Sequence, residues 1–307
     1  MSNLTLRVLS AVVGIPLVIA ASLAGGLWFL ALVCAASAIA LHEFYRLAIA
    51  KGAQPLVVLG LLSGFFTNLS FFSSNQIWIS FLLWAGGGKS MSMTQSQMLM
   101  VTLIASMVIA GFVELFRNKG SATLNVATTM LGVVYVSLFF GTFIGLRELF
   151  TASDYSIARY FGNAGGDEIY KSGGLTVVSV LAMIWICDTA AFHGGQAFGR
   201  HKLFPRVSPN KTWEGALLGF AVAVASAIAA KYLVLSYLPV GSAIIIGVAV
   251  GVAGQMGDLL ESLYKRDAGV KDSSNFIPGH GGVLDRFDSL LLVAPLVYLY
   301  VDFVLFS

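Results

Sequence analysis

Charge is what this chain has least of. Of its 307 residues, 18 are Lys or Arg and 15 are Asp or Glu, 11% in all, against 57% hydrophobic. A soluble domain carries roughly 25% charged residues, so this composition cannot furnish a water-facing shell. Mean hydropathy of +0.85 places the chain among polytopic membrane proteins. Cysteine is scarce too. Cys34 and Cys187 both lie inside apolar runs, which argues against a disulfide framework and for two small core residues. A net charge of +3 is too slight to argue for a nucleic-acid partner.

What is present is apolar runs long enough to span a bilayer, which takes about 20 residues each. The pattern predicts an all-α polytopic membrane protein with about nine transmembrane helices, near 7–24, 27–47, 54–73, 97–116, 123–148, 174–197, 213–233, 238–262 and 286–306. Residues 75–88 read either as an interfacial segment or as an extension of the third span. The first run resembles a signal peptide's apolar region, but the second follows within a few residues, so the first reads as a retained span. Three regions result: 1–150 with about five spans, a loop at 151–173, and 174–307 with about four spans. With the N-terminus in the cytoplasm, thirteen of the eighteen Lys and Arg residues fall on that side, as the positive-inside rule requires. The loop at 151–173 then lies outside.

The scarce charge is concentrated in two stretches on the cytoplasmic side. In "CDTAAFHGGQAFGRHKLFPRVSPNKTWEG", Asp188 sits within the sixth span, a costly position that calls for a polar cavity or a partner. Pro209 and Asn210 read as a turn, and Thr212 as the N-cap of the next helix. Free N–H groups beside Lys211 then make an anion site. In "SLYKRDAGVKDSSNFIPGHGGVLDRFDS", Asp258, Ser262 and Lys265 share a helix face, as do Asp285 and Asp288 at the start of the last span. Three carboxylates at adjoining helix ends offer hard oxygen ligands suited to Mg2+, which takes one or two carboxylates plus substrate phosphates and water. Lys265, Arg266, Lys271 and Arg286 surround them, so a metal-bound polyphosphate fits. Gly279, Gly281 and Gly282 let backbone approach an anion. Elsewhere, Glu43 of "LHEFYRLA" reads as an ion pair with Arg46, and Glu114 as a similar pair within "ELFR".

The second stretch closely resembles the C-terminal signature of the phosphatidate cytidylyltransferases, or CDP-diacylglycerol synthases. The matching positions are Ser262, Lys265, Arg266, Lys271, Asp272, Pro278, His280, Gly281, Gly282, Asp285, Arg286 and Asp288. Upstream, "RVSPNKTWEG" is similar to a second element of that family and covers Ser208, Asn210, Lys211 and Thr212. The chain departs from the pattern at Tyr264, at "DTAAF" and in a longer loop at 151–173, without losing a charged position. The resemblance implies transfer of the cytidylyl group of CTP to phosphatidate at a bacterial inner membrane. It implies Asp258, Asp285 and Asp288 as Mg2+ ligands, a second, monovalent cation such as K+ beside them, and catalytic parts for Lys265, Arg266, Lys271, Asp272, His280 and Arg286. Substrate contacts fall to Ser208, Asn210, Lys211, Thr212, Ser262, Gly281, Gly282 and Asp188, and a homodimer is compatible with this reading. Two alternatives stay open: a CTP transferase for another lipid phosphate, such as an ether lipid, and an anion transporter. A transporter predicts polar residues scattered through many spans at mid-membrane, whereas here they crowd at the ends of three.

Overall fold

A computed structural model describes residues 3–72, 94–150, 155–162, 165–277 and 279–306; the segment 75–88 lies outside them. The elements are α1 (Asn3–Ala24), α2 (Gly26–Ala50), α3 (Val57–Ser70), α4 (Gln95–Arg117), α5 (Ala122–Glu148), α6 (Tyr155–Phe161), α7 (Gly166–Phe198), β1 (Lys202–Phe204), β2 (Ser208–Thr212), α8 (Trp213–Leu233), α9 (Val240–Asp267) and α10 (Leu284–Leu305). The all-α membrane architecture is as the composition requires, because only a helix satisfies its own backbone in lipid without closing a barrel. Among the described residues seven helices are long and apolar enough to cross a membrane: α2, α4, α5, α7, α8, α9 and α10. The first and third expected spans are shorter apolar helices, Ser10–Ala24 within α1 and Val57–Ser70. Helix α3 starts only after Pro55 and Leu56, since a proline ring disfavours helix in the residue before it.

Burial sets the layers. Helix α5 is 72% buried over its apolar window and forms the centre, whereas α4 is 11% buried and turns its apolar side chains outward. Small residues let α7, α8 and α9 approach closely. Gly215 and Gly219 of α8 lie on Ala191 and Gly195 of α7, and Gly247 of α9 lies on Ala223 and Ala227 of α8. Such seams are how helices associate in lipid, where van der Waals packing replaces the hydrophobic effect. Gly257 of α9 makes a similar approach, and any side chain there would enter the backbone of α10 at Asp288 and Ser289.

Within α9 a π-helical stretch, Val250–Gly254, precedes the charged final turns. The extra residue in that turn rotates everything beyond it. Gln255 compensates by donating from Nε2 to the Gly251 carbonyl at 2.7 Å and the Ala216 carbonyl at 3.0 Å. The turn therefore aims the face that carries Asp258.

Two local expectations need correction. The loop at 151–173 is largely helical where it is described: α6 occupies part of it, and α7 begins at Gly166. Asp167 and Glu168 sit in the first turn of α7, where negative charge favours a helix start. Pro209 and Asn210 are not a turn but part of β2, paired antiparallel with β1. The turn lies earlier, closed by the Val207 N–H donating to the Phe204 carbonyl at 3.1 Å. Thr212 does cap α8, its hydroxyl accepting from the Gly215 N–H at 3.2 Å.

Candidate active site

The end of α7, the β2–α8 junction, the last turns of α9 and the loop into α10 enclose a cavity of about 640 Å³. Its wall is rich in polar side chains, with Asp188, Gln196, Asn210, Lys211, Thr212, Gln255, Asp258, Lys265, Asp272, Asp285, Arg286 and Asp288 set beside Ala191, Phe192, Leu203 and Ala216. A second cavity of about 380 Å³ runs between α1, α7 and α10 and is walled mostly by apolar groups, including Gly14, Ile15, Val18, Leu181, Ile184, Trp185 and Leu290. The two cavities share Asp188, Asp285, Arg286, Asp288 and Ser289. A polar chamber and an apolar groove thus meet at one group of acids and an arginine.

The charges around that junction divide into two kinds. Some are locked into the protein. Lys265, 9% exposed, joins α9 to α10: its Nζ lies against Glu261 and donates to Asp285 Oδ1 at 2.6 Å. The other oxygen of Asp285 accepts from the Ser273 N–H at 3.0 Å, the Ser273 hydroxyl at 2.9 Å and the Gly282 N–H at 2.7 Å. Lys265, the Ser273 and Gly282 N–H groups and the Ser273 hydroxyl, which Asp285 shares with a second acceptor, surround this carboxylate, so Asp285 holds the loop in this conformation.

Other groups open into the cavities. Asp258 accepts from Lys211 at 2.6 Å and from the Ser262 hydroxyl at 3.3 Å. Asp288 accepts from the Ser289 N–H at 2.7 Å. Asp188, Asp258 and Asp288 lie within electrostatic reach of one another. Among the described residues no three His, Cys, Asp or Glu side chains form a ready metal cage. One or two carboxylates opening into a polar chamber are nevertheless what Mg2+ needs when a substrate's phosphates complete its shell. The hard-oxygen donor set at Asp258 and Asp288 fits that ion.

Several expected site residues lie off the walls of the polar chamber. Arg266 donates to the Val207 carbonyl at 3.3 Å and the Val270 carbonyl at 3.1 Å, which ties the hairpin to its own loop. Lys271 is exposed, and Ser208 pairs with Phe204 in the ribbon. His280 lines the apolar groove, its Nδ1 2.7 Å from the Ser10 hydroxyl of α1. Gly281 has a φ of +83°, which allows the turn that brings Gly282 onto Asp285. Pro278 falls outside the described residues.

One acid escaped the sequence reading and another was given the wrong partner. Glu261 stands four residues before Lys265, the spacing of a helical ion pair, and that signal was available. Glu43 is the greater surprise. It does not pair with Arg46, which is exposed. Instead it is 2% exposed and accepts hydrogen bonds from the loop preceding α10 and from the first turn of that helix. Its partners lie 230 to 241 residues away, beyond any local spacing rule. Glu114 does pair with Arg117, at 2.9 Å.

Comparison with known proteins agrees with this geometry. The profile of the Cytidylyltransferase family matches residues 5–304. The chain is 30% identical over 305 residues to the phosphatidate cytidylyltransferase of Synechocystis sp., covering 97% of this chain and 96% of that one. It is 43% identical over 152 residues to the enzyme of that name from Brucella suis, about half of each chain (49% and 53%). The Bacillus subtilis protein of that name is 33% identical over 198 residues, 64% of this chain and 66% of its own. With a family match that spans nearly every residue and a relative aligned along almost the whole of both chains, this chain belongs to the cytidylyltransferase family.

Proposed function

We propose that the protein is a phosphatidate cytidylyltransferase, converting CTP and phosphatidate to CDP-diacylglycerol and pyrophosphate. The observation that carries this reading is the meeting of a polar chamber with an apolar groove at Asp188, Asp285, Arg286, Asp288 and Ser289. A water-soluble nucleotide suits the first and an acyl chain the second, so the two phosphates meet where the cavities join. A phosphatidate oxygen forms a bond to the α-phosphorus of CTP, the bridging α–β oxygen bond breaks, and pyrophosphate leaves with the electron pair. The attacking oxygen is already anionic, so no strong base is required. Catalysis is positioning and charge neutralisation.

Lys211 and the N-terminus of α8 capped by Thr212 take the CTP phosphates, and Arg286, which faces both cavities, takes the phosphate of the lipid. Asp258 and Asp288 are the residues proposed to hold Mg2+, with Asp188 beside them; when bound, the ion neutralises the triphosphate. A monovalent cation at the same acids belongs to this reading. Asp285 reaches the chamber but is proposed to act mainly as the partner of Lys265. The catalytic loops and the N-terminus are assigned to the cytoplasmic side of a bacterial inner membrane, and α1 and α3 are counted with the seven longer helices as nine spans.

Gly14 gives a direct test. A Cβ there would meet nothing within 4 Å, because the residue borders the open groove. Gly14→Leu is expected to raise the KM for phosphatidate about tenfold, the loss of about 1.4 kcal/mol of apolar contact, with the KM for CTP unchanged. Steady-state kinetics in mixed micelles, varying each substrate in turn, reads both. Equal changes in the two constants would remove the groove from the lipid path. Comparing ester- and ether-linked lipid phosphates in the same assay decides between the two lipid classes.

A further inference from the structure

We infer that Glu43, in the N-terminal half of the chain, is a positioning residue for the reaction: it sets the loop 273–284 and thereby where Asp285, Arg286 and Asp288 point. The inference rests on the proposed cytidylyltransferase activity for its kinetic part and on geometry alone for its structural part.

Glu43 is on α2, whose neighbouring residue Phe44 packs edge-on against Tyr264 of α9 at 5.6 Å between ring centres. That stretch of α2 is therefore packed against the turn of α9 that carries Lys265. From this base the carboxylate lies within hydrogen-bond distance of four donors, one of which, the Ser273 hydroxyl, it shares with Asp285. Oε1 takes the Ser274 hydroxyl at 2.5 Å and the Val283 N–H at 3.1 Å, and Oε2 takes the Ser273 hydroxyl at 3.1 Å and the Leu284 N–H at 2.8 Å. Two of these donors belong to the start of α10, where backbone N–H groups are left without helical partners and the dipole favours an anion. The other two belong to the far end of the loop. One carboxylate thus closes the loop on itself and fixes it to a helix more than 200 residues away in sequence.

The contact with Asp285 makes the effect specific. The Ser273 hydroxyl lies within reach of both Glu43 Oε2 and Asp285 Oδ2, so the two acids are separated by one bridging group. Gly282 fills the remaining space, and a Cβ there would overlap both the Ser273 hydroxyl and the Glu43 carboxylate. Three residues further along α10, Asp288 and its neighbours line both cavities. If the loop shifts, the charged face of α10 shifts with it. Catalytic geometry of this kind depends on the shell that supports it.

The test uses the full chain in lipid nanodiscs with three proteins: wild type, Glu43→Gln, and the double variant Ser273→Ala/Ser274→Ala. In Glu43→Gln one acceptor oxygen becomes an amide that cannot accept. The expected results are a kcat at least about tenfold lower with both KM values within about threefold, and faster amide hydrogen exchange confined to residues 272–286. The double variant is expected to speed exchange over 272–277 and to lower kcat less. Wild-type kcat in Glu43→Gln, or exchange that rises equally in every helix, would overturn the proposal. If Glu43→Gln does not accumulate, the double variant decides: unchanged exchange and kcat would likewise overturn it. If wild-type protein makes no liponucleotide, the enzyme assignment fails, while local exchange still decides whether Glu43 holds the loop.

Discussion

Replacing Lys265 with methionine is expected to destabilise the protein by about 3–5 kcal/mol, the usual consequence of removing one partner from a buried ion pair. Glu261 is fully buried and Asp285 nearly so, and both lie against the same Nζ. Without it, two carboxylates on adjoining helices face each other with no cation between them. The melting midpoint in detergent should fall by on the order of ten degrees, and activity should fall with it. The second-site variant Glu261→Gln/Lys265→Met removes one stranded charge and should recover part of the lost stability, since contacting residues are not additive. It should not recover activity, because Asp285 still lacks the donor that fixes its Oδ1. A Lys265→Met protein that melts with wild type would show that α9 and α10 are held by packing alone. The seam at Gly257 would then be the first place to look.

Asp288→Asn is expected to do the opposite: a folded protein with almost no turnover. Asparagine keeps the oxygen that accepts from the Ser289 N–H at 2.7 Å, so the backbone contact survives and only the charge is lost. Asp288 faces both cavities, where the proposed reaction brings nucleotide and lipid phosphates together. Losing one electrostatic group at such a centre typically costs about 10²–10³ in kcat. The check is kcat alongside the melting curve. A variant with turnover within about twofold of wild type would take Asp288 out of the metal-binding assignment. Asp258→Asn is a less clean probe, because it also releases Lys211 from its 2.6 Å ion pair.

The apolar runs made the helices legible, and one of them, 213–233, coincides with α8 (Trp213–Leu233). Errors arose where helix continues into polar sequence. Helix α9 runs on to Asp267, because Glu261 and Lys265 pair at i, i+4 and the last turns pack beneath the loop rather than in lipid. Helix α7 starts at Gly166, helped by acids in its first turn that a hydropathy reading counts only as charge. Thr212 as a cap was legible because an N-cap is a local event, settled within three residues. In the site, spacing brought Asp258, Lys265, Asp285 and Asp288 to one place, as the structure does. It could not say that Lys265 and Asp285 face each other while Asp258 and Asp288 face open space, since that depends on how α9 is rotated against α10. Nor could it find Glu43, whose role exists only after α2 has packed against α10.

In the proposed reaction two substrates approach the shared acids from different sides, and a cytidylyl group passes from one to the other there. This transfer is tested most directly by following CTP labelled separately at the α- and γ-phosphorus, with purified protein, phosphatidate and Mg2+. The α label is expected to enter the lipid fraction and the γ label to appear only in pyrophosphate, with neither moving when phosphatidate is omitted. Label from the γ-phosphorus in the lipid, or release of pyrophosphate without phosphatidate, would contradict it.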